Sequence, residues 1–356
     1  MLSSRRILLF ASILLSLSCA SLAAGQSGRR KEPAETKRPP QGPIADPNRQ
    51  PASSSTNPSG QKGVKPAKTD EVDSSDVVRI SSTLVPIPVS VFDMRGNAVT
   101  NLKLEDFELR VDGEPRAISD MTRTETSVRL AMLFDNSGSV DFAREFEKQA
   151  AMRFFRKVMR ATDEAAIYSV ETESYLAQPL TKDIARLEQT IASFGKPEGS
   201  TSLFDAIIEA STYLRPYSAR RVLVIVSDGI ETTSRADFET TMQHVLGNDC
   251  QIFVVQTGLY GGANLRALAA ERRMEQLSSQ TGGAVYLPKT IHELDVAFEQ
   301  IAADLAQQYL LSYYPTGEHR DGRMHLIDLR IRSRNDLRVR SRKGYYAPRP
   351  TAVADW

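Results

Sequence analysis

Hydrophobic positions along the chain repeat with two different periods. Between 127 and 308, short apolar runs alternate with stretches in which apolar residues recur about every 3.6 positions. RLAMLFD, ending at Asp135, reads as a strand. Over 142–160, Phe146, Ala150, Phe154 and Val158 recur at helical spacing. AAIYSVET and SYLAQPL read as the two strands of a hairpin, and Ile184, Leu187, Ile191 and Phe194 then share one helical face. A helix over 202–214 opens with Ser202 and Asp205 at the spacing of a capping box. RRVLVIVSDG is almost continuously apolar, as expected of a strand covered on both faces. A polar helix, the strand CQIFVVQTG, a helix around 264–280, the short strand GAVYLP and a helix over 290–308 complete the series. This alternation predicts an α/β domain over 127–308: a doubly wound, mostly parallel, Rossmann-like sheet.

The flanking segments, 77–125 and 309–348, switch to a period of two. Ile87, Val89 and Val91 alternate, as do Phe107, Leu109 and Val111 ahead of the turn signal DGEP. Downstream, Ile327, Leu329 and Ile331 alternate with Asp328, Arg330 and Arg332, and Leu337 and Val339 with Arg338 and Arg340. Each half holds about three strands, too few to stand alone. The two halves are therefore expected to pair into one small β-sandwich of immunoglobulin-like size, with the α/β domain inserted between them. The arginines of 330–342, with Lys343, read as the solvent side of an amphipathic sheet. Tyr309, Tyr313, Tyr314, Tyr345 and Tyr346 read as sandwich core and rim.

The first 76 residues have no such period. Arg5 and Arg6 precede the apolar run ILLFASILLSLS, and small residues follow. That order is a secretory signal peptide over residues 1–24, with a run too short to span a bilayer. Lipid attachment at Cys19 is a weaker reading, because Leu17 stands at the wrong offset. Residues 25–76 are rich in Pro, Ser, Gly and Lys and have no aromatic residue, so they read as a disordered tether. The mature chain is then an exported protein, periplasmic, at the cell surface or secreted, with no membrane span after cleavage.

Composition narrows the function more by exclusion than by indication. Forty-five basic and forty-four acidic side chains leave a formal charge of +1, which provides no long-range pull toward nucleic acid. Four histidines and two cysteines are too few and too scattered for a zinc site. Cys250 opens an apolar run and reads as a small buried residue. No G-x-G-x-x-G follows the first α/β strand, which disfavours a dinucleotide site.

The candidate chemistry lies where the strands end. In a doubly wound sheet the ligand crevice opens beyond the carboxyl ends of the strands. Asp135, Ser137 and Ser139 follow one strand, Asp228 ends another in VLVIVSD, and Thr201 lies in the loop EGSTSLFDAI. Carboxylates and hydroxyls are hard oxygen donors suited to Mg²⁺, Mn²⁺ or Ca²⁺. Gly138 is read as relieving crowding where the chain turns. A plainer reading remains open: Asp and Ser favour helix starts and turns, so Asp135 and the serines could cap the next helix and Asp228 could simply begin a turn.

The run Asp135-x-Ser137-x-Ser139, Thr201 and Asp228 in SDG resembles the metal-ion-dependent adhesion site of von Willebrand factor type A domains. The flanking text RGNAVTNLKLEDFELRVDG, IAADLAQQYLLSYYPTGEHRDGRMHLIDLRI and VRSRKGYYAP is similar to bacterial VWFA-related proteins of the acidobacterial type. The resemblance implies that these five residues hold a divalent cation, Mg²⁺ foremost, and that the cation engages an Asp or Glu of an unidentified protein partner. Two other functions stand beside it. One is a structural envelope protein with an unused metal site. The other is a metal-dependent hydrolase, disfavoured because NSGSV is not a G-x-S-x-G elbow and no histidine stands in a motif to serve as base.

Overall fold

The computed structural model describes residues 84–123, 126–138, 144–197, 199–257, 265–315, 321–332 and 334–347. The expected signal peptide, Cys19 and the tether lie outside the described residues. The elements below all belong to one compact unit, Asp76–Trp356.

Four strands precede the α/β layer: β1 (Val85–Phe92), β2 (Phe107–Val111), β3 (Glu114–Arg116) and β4 (Asp120–Arg123). The layer's strands are β5 (Val128–Asp135), β6 (Glu164–Val170), β7 (Tyr175–Thr181), β8 (Arg220–Ser227), β9 (Cys250–Gln256) and β10 (Val285–Tyr286). They form a six-stranded sheet in the order β10-β9-β8-β5-β6-β7, parallel except for the edge strand β7, which returns antiparallel on β6 as a hairpin. Both faces are covered. Helices α1 (Arg144–Val158), α2 (Ile184–Ser193) and α6 (Ile291–Gln307) pack on one, and α3 (Leu203–Leu214), α4 (Phe238–Gly247) and α5 (Leu265–Thr281) on the other. That is why the middle of β8 (VLVIV) and of β9 (IFVV) is continuously apolar: successive side chains enter two different cores.

Two local expectations are corrected. Phe146 does not face the core and is 47% exposed. The buried stripe of α1 runs through Glu147, Ala150, Ala151, Phe154 and Phe155, one position round the helix from the face expected. Ser202 does precede α3, but it makes no capping box: its hydroxyl donates to Glu171 O at 2.6 Å. The first turn of α3 is satisfied instead by the loop after β8. Phe204 N donates to Glu231 Oε2 (3.0 Å) and Ser234 Oγ, while the Asp205 carboxylate accepts from Arg235 N and Ala236 N. A tertiary contact has replaced a local one.

The flanking segments pair with each other. Strands β11 (Tyr309–Tyr313), β12 (Met324–Ile331), β13 (Arg338–Ser341) and β14 (Gly344–Tyr346) complete two four-stranded sheets, ordered β13-β1-β11-β4 and β14-β12-β2-β3. Val89 stands opposite both Tyr309 and Ser341, and Leu109 opposite Leu329. The two inner faces share one core, built on Ile87, Val89, Phe107, Leu109, Tyr309, Tyr313, Ile327 and Tyr345. Tyr314 is exposed, and Tyr346 packs against the α/β layer instead. At the DGEP turn Asp112 and Gly113 both adopt positive φ (52° and 85°), as a two-residue hairpin demands.

The arginine series divides. Arg330 and Arg332 face solvent as expected. Arg342 does not: it is buried, and its guanidinium donates to Asp249 Oδ1 (2.6 Å), Gly344 O, Pro86 O and Leu246 O. Arg340 likewise pairs with Asp304 on α6. These side chains fasten the sandwich to the α/β layer.

Candidate metal centre

The strand order locates the site. From β5 the chain passes through α1 to β6 on one side of the sheet. From the β6–β7 hairpin it passes through α2, on the same face as α1, and then through α3 on the opposite face to β8. The switch point therefore lies between the carboxyl ends of β5 and β8, where no crossover covers the crevice. Asp135 is the last residue of β5, and Asp228 immediately follows Ser227, the last of β8. Both are almost fully buried, and the Asp228 charge lies close enough to help raise Asp135.

Hydrogen bonds hold three loops together at this edge. Asp135 Oδ1 accepts from Ser137 N at 2.9 Å, and Oδ2 accepts from Ser227 Oγ. Ser227 Oγ in turn accepts from Gly229 N (2.9 Å), and Asp228 Oδ1 accepts from Ile230 N (2.8 Å). Gly138 N donates to Gly199 O, which joins the β5 loop to the loop preceding α3. Thr201 N donates to Thr232 Oγ1 at 2.7 Å, and Thr201 O accepts from Thr232 N and Thr233 N, which joins that loop to the one after β8. Asp135, Ser137, Thr201 and Asp228 thus stand on three interlocked loops, all buried. Ser139 lies outside the described residues. The glycine freedom expected of Gly138 is needed elsewhere: its φ is not positive, whereas Gly229, next to Asp228, has φ +77° and a Cβ there would meet Met274 Cγ at 3.1 Å.

The electrostatics are unusual for a turn. Burial pushes Asp135 up to about 6, against the hydrogen bonds from Ser137 and Ser227, and Asp228 adds to the rise. Among the described residues, no Lys, Arg or His nitrogen lies within ion-pair distance of Asp135 or Asp228. Arg144, on α1, comes nearest in effect. It is buried over the Phe134 ring, 4.4 Å from its centroid, but donates to Asp135 O and Asn136 Oδ1 rather than to either carboxylate. Two buried carboxylates beside neutral hydroxyls, with no cation in contact, form a donor set whose chemistry fits a hard divalent ion. Among the described residues no three His, Cys, Asp or Glu side chains converge to hold one ion, so a cation here would rest on two carboxylates with hydroxyl and water oxygens.

The structure adds residues that the sequence did not single out. Ser227 holds Asp135 directly. Glu147, in the first turn of α1, is buried and pushed up to about 7 by that burial. The Thr257 hydroxyl and the Arg144 charge pull it down, while Asp135 and Asp228 push it further up. Nothing in the helical pattern flagged Glu147, because a single acid on a helix reads as its solvent face. Cys250 is buried as expected, and burial pushes its thiol up to about 12.

A parallel-rich sheet sandwiched by helices, with oxygen donors gathered at its switch point, defines a class of binding domain. Residues 130–231 match the family model described as von Willebrand factor type A domain, and the chain carries such a domain. No curated protein matches the chain. Among solved structures, the chain is similar to the PilB minor pilin from Streptococcus sanguinis, at 12% identity and TM-score 0.43, over 53% of this chain and 63% of that one. It is similar to the vWF domain of the type V pili tip protein Mfa5 from Porphyromonas gingivalis, at 12% identity and TM-score 0.42, over 50% and 94%. It is also similar to the conserved hypothetical protein BatB from Bacteroides thetaiotaomicron, at 13% identity and TM-score 0.41, over 50% and 98%. The chain thus matches less than two thirds of the pilin's length. Among the described residues no helix is long and apolar enough to cross a membrane.

Proposed function

We propose that this protein is an exported binding module that captures a carboxylate of a protein partner through a divalent cation, Mg²⁺ foremost. The observation that carries this reading is the pair of buried carboxylates, Asp135 and Asp228, held side by side at the switch point without a cationic neighbour in contact. Asp135, Ser137, Ser139, Thr201 and Asp228 are the residues that would hold the ion, directly or through water. When bound, the ion supplies a Lewis-acidic vertex for an acidic side chain from outside. The chain's own part is to fix the geometry. Ser227 and Ser137 N orient Asp135, Ile230 N orients Asp228, and the 232–233 backbone positions the Thr201 loop. Because the hydroxyls are neutral and the carboxylates only two, the ion's charge is barely balanced, which favours an anionic partner group. Export rests on the charged, apolar, small-residue order of the first 24 residues.

Calorimetric titration with Mg²⁺ and Mn²⁺ tests the reading. The wild type is expected to bind one ion, and Asp135→Ala and Asp228→Ala to bind none. A partner recovered from envelope extracts in Mg²⁺ should be released by EDTA. Undiminished capture in EDTA, or by Asp135→Ala, sinks the proposal.

A further inference from the structure

Two oxygen atoms buried beside the site have no explanation within the chain. Glu147 is 2% exposed and Thr257 is 4% exposed. Neither Glu147 Oε1 nor Thr257 Oγ1 has a hydrogen-bond partner. A buried polar atom left unpaired costs about 1–3 kcal/mol, so native structures rarely leave one without a water or an ion. The two come from different segments, α1 and the residue after β9, and the Thr257 hydroxyl lies near Glu147 without completing a hydrogen bond to its Oε1. Thr257 N donates to Ser227 O at 2.9 Å, which places Thr257 beside the strand end whose hydroxyl holds Asp135.

Charge balance points the same way. The charges of Asp135 and Asp228 both act on Glu147, and all three carboxylates are buried. Arg144 is the basic group that offsets Glu147, yet among the described residues Glu147 has no ion pair; Arg144 Nη1 and Nη2 donate to Asp135 O and Asn136 Oδ1, and its Nε has no hydrogen-bond partner. Three buried carboxylates against one guanidinium leave a deficit of positive charge at this edge of the sheet. Since no three acids converge on one point, Glu147 does not reach a cation held by Asp135 and Asp228 except through an intervening molecule.

We propose that Glu147 and Thr257 would hold a water bound to the cation, Glu147 accepting a hydrogen bond from that water and thereby orienting it. Glu147 is then a positioning residue. Its buried charge destabilises the cation-free protein and is compensated when the ion arrives. This deepens the proposed function and rests on it.

The test compares wild type, Glu147→Gln, Thr257→Val and Thr257→Ser by melting in EDTA and in Mg²⁺, and by Mg²⁺ calorimetry. Glu147→Gln should melt above wild type in EDTA, gain less from Mg²⁺, and bind Mg²⁺ about 10–100-fold more weakly, as losses of groups behind a metal ligand do. Thr257→Val should lose affinity in the same direction, and Thr257→Ser, which keeps the hydroxyl, should restore it. Should Glu147→Gln fail to fold, the threonine pair decides. If wild type binds Mg²⁺ while Glu147→Gln and Thr257→Val bind it equally well, the inference is overturned and the function stands. If wild type binds neither Mg²⁺ nor Mn²⁺, both are overturned.

Discussion

Ser227→Ala tests how the site is built. The Ser227 hydroxyl is almost fully buried, accepts from Gly229 N at 2.9 Å and donates to Asp135 Oδ2. Its removal leaves a buried backbone N–H without an acceptor and takes one donor from a buried carboxylate. An orphaned buried donor costs about 1–3 kcal/mol, and a hydrogen bond to an ionised group contributes about 1.5–3 kcal/mol. The two effects share one hydroxyl and do not simply add, so the expected loss is about 2–4 kcal/mol. Urea unfolding in EDTA measures it, with Ser193→Ala, on an exposed turn of α2, as a control expected within about 0.5 kcal/mol of wild type. The loss should persist in Mg²⁺, and the Mg²⁺ affinity should fall about 10-fold or more, because Asp135 is no longer held in one orientation. A cost below about 0.5 kcal/mol together with unchanged Mg²⁺ binding would refute the claim that Ser227 organises Asp135.

Three further outcomes follow from the geometry. Arg342→Ala removes the guanidinium that donates to Asp249 and to the carbonyls of Pro86, Leu246 and Gly344, leaving Asp249 only its longer pair with Arg221; it should cost about 2–3 kcal/mol in urea unfolding, with Arg342→Lys recovering only part, since one ammonium cannot reach all four acceptors. A loss no larger than that of a surface arginine would contradict the clamp. His325 is lowered by burial, but hydrogen bonds from its ring to Asp112 (2.6 Å) and Asp321 (3.1 Å) more than offset this and raise it above its ordinary 6.5. The raised value favours the protonated ring in the folded state. Its contribution to stability is therefore full below the unfolded pKa and lost as pH climbs through the folded one. The urea midpoint should fall as pH rises from the ordinary 6.5 through the raised folded value, and His325→Gln should remove that component of the fall. Cys250, buried with its thiol pushed up to about 12, should react with a thiol reagent only on unfolding, and rapid labelling of the native protein would show the assignment wrong.

Much of this protein is determined locally. Apolar runs bounded by turns are legible as strands because each residue reports the burial of its own position, and alternation in 77–125 and 309–348 marks sheets with one wet face. Asp135 and Asp228 stand out because each interrupts an apolar run at its end, where a strand must leave the core. What only the tertiary structure decided is which polar groups meet. Ser227 reads as the start of a turn, Glu147 as one acid on a helix surface, Arg342 as one of a row of outward arginines, and Glu231 as a loop residue. Each acquires its role from a segment that is distant in sequence. A side chain's own neighbours record whether it is buried, but its partner depends on which strands lie adjacent and where the chain crosses between them. That order, β8 beside β5 with the sandwich closed by both ends of the described chain, is set by long-range packing and is written in no single stretch of residues.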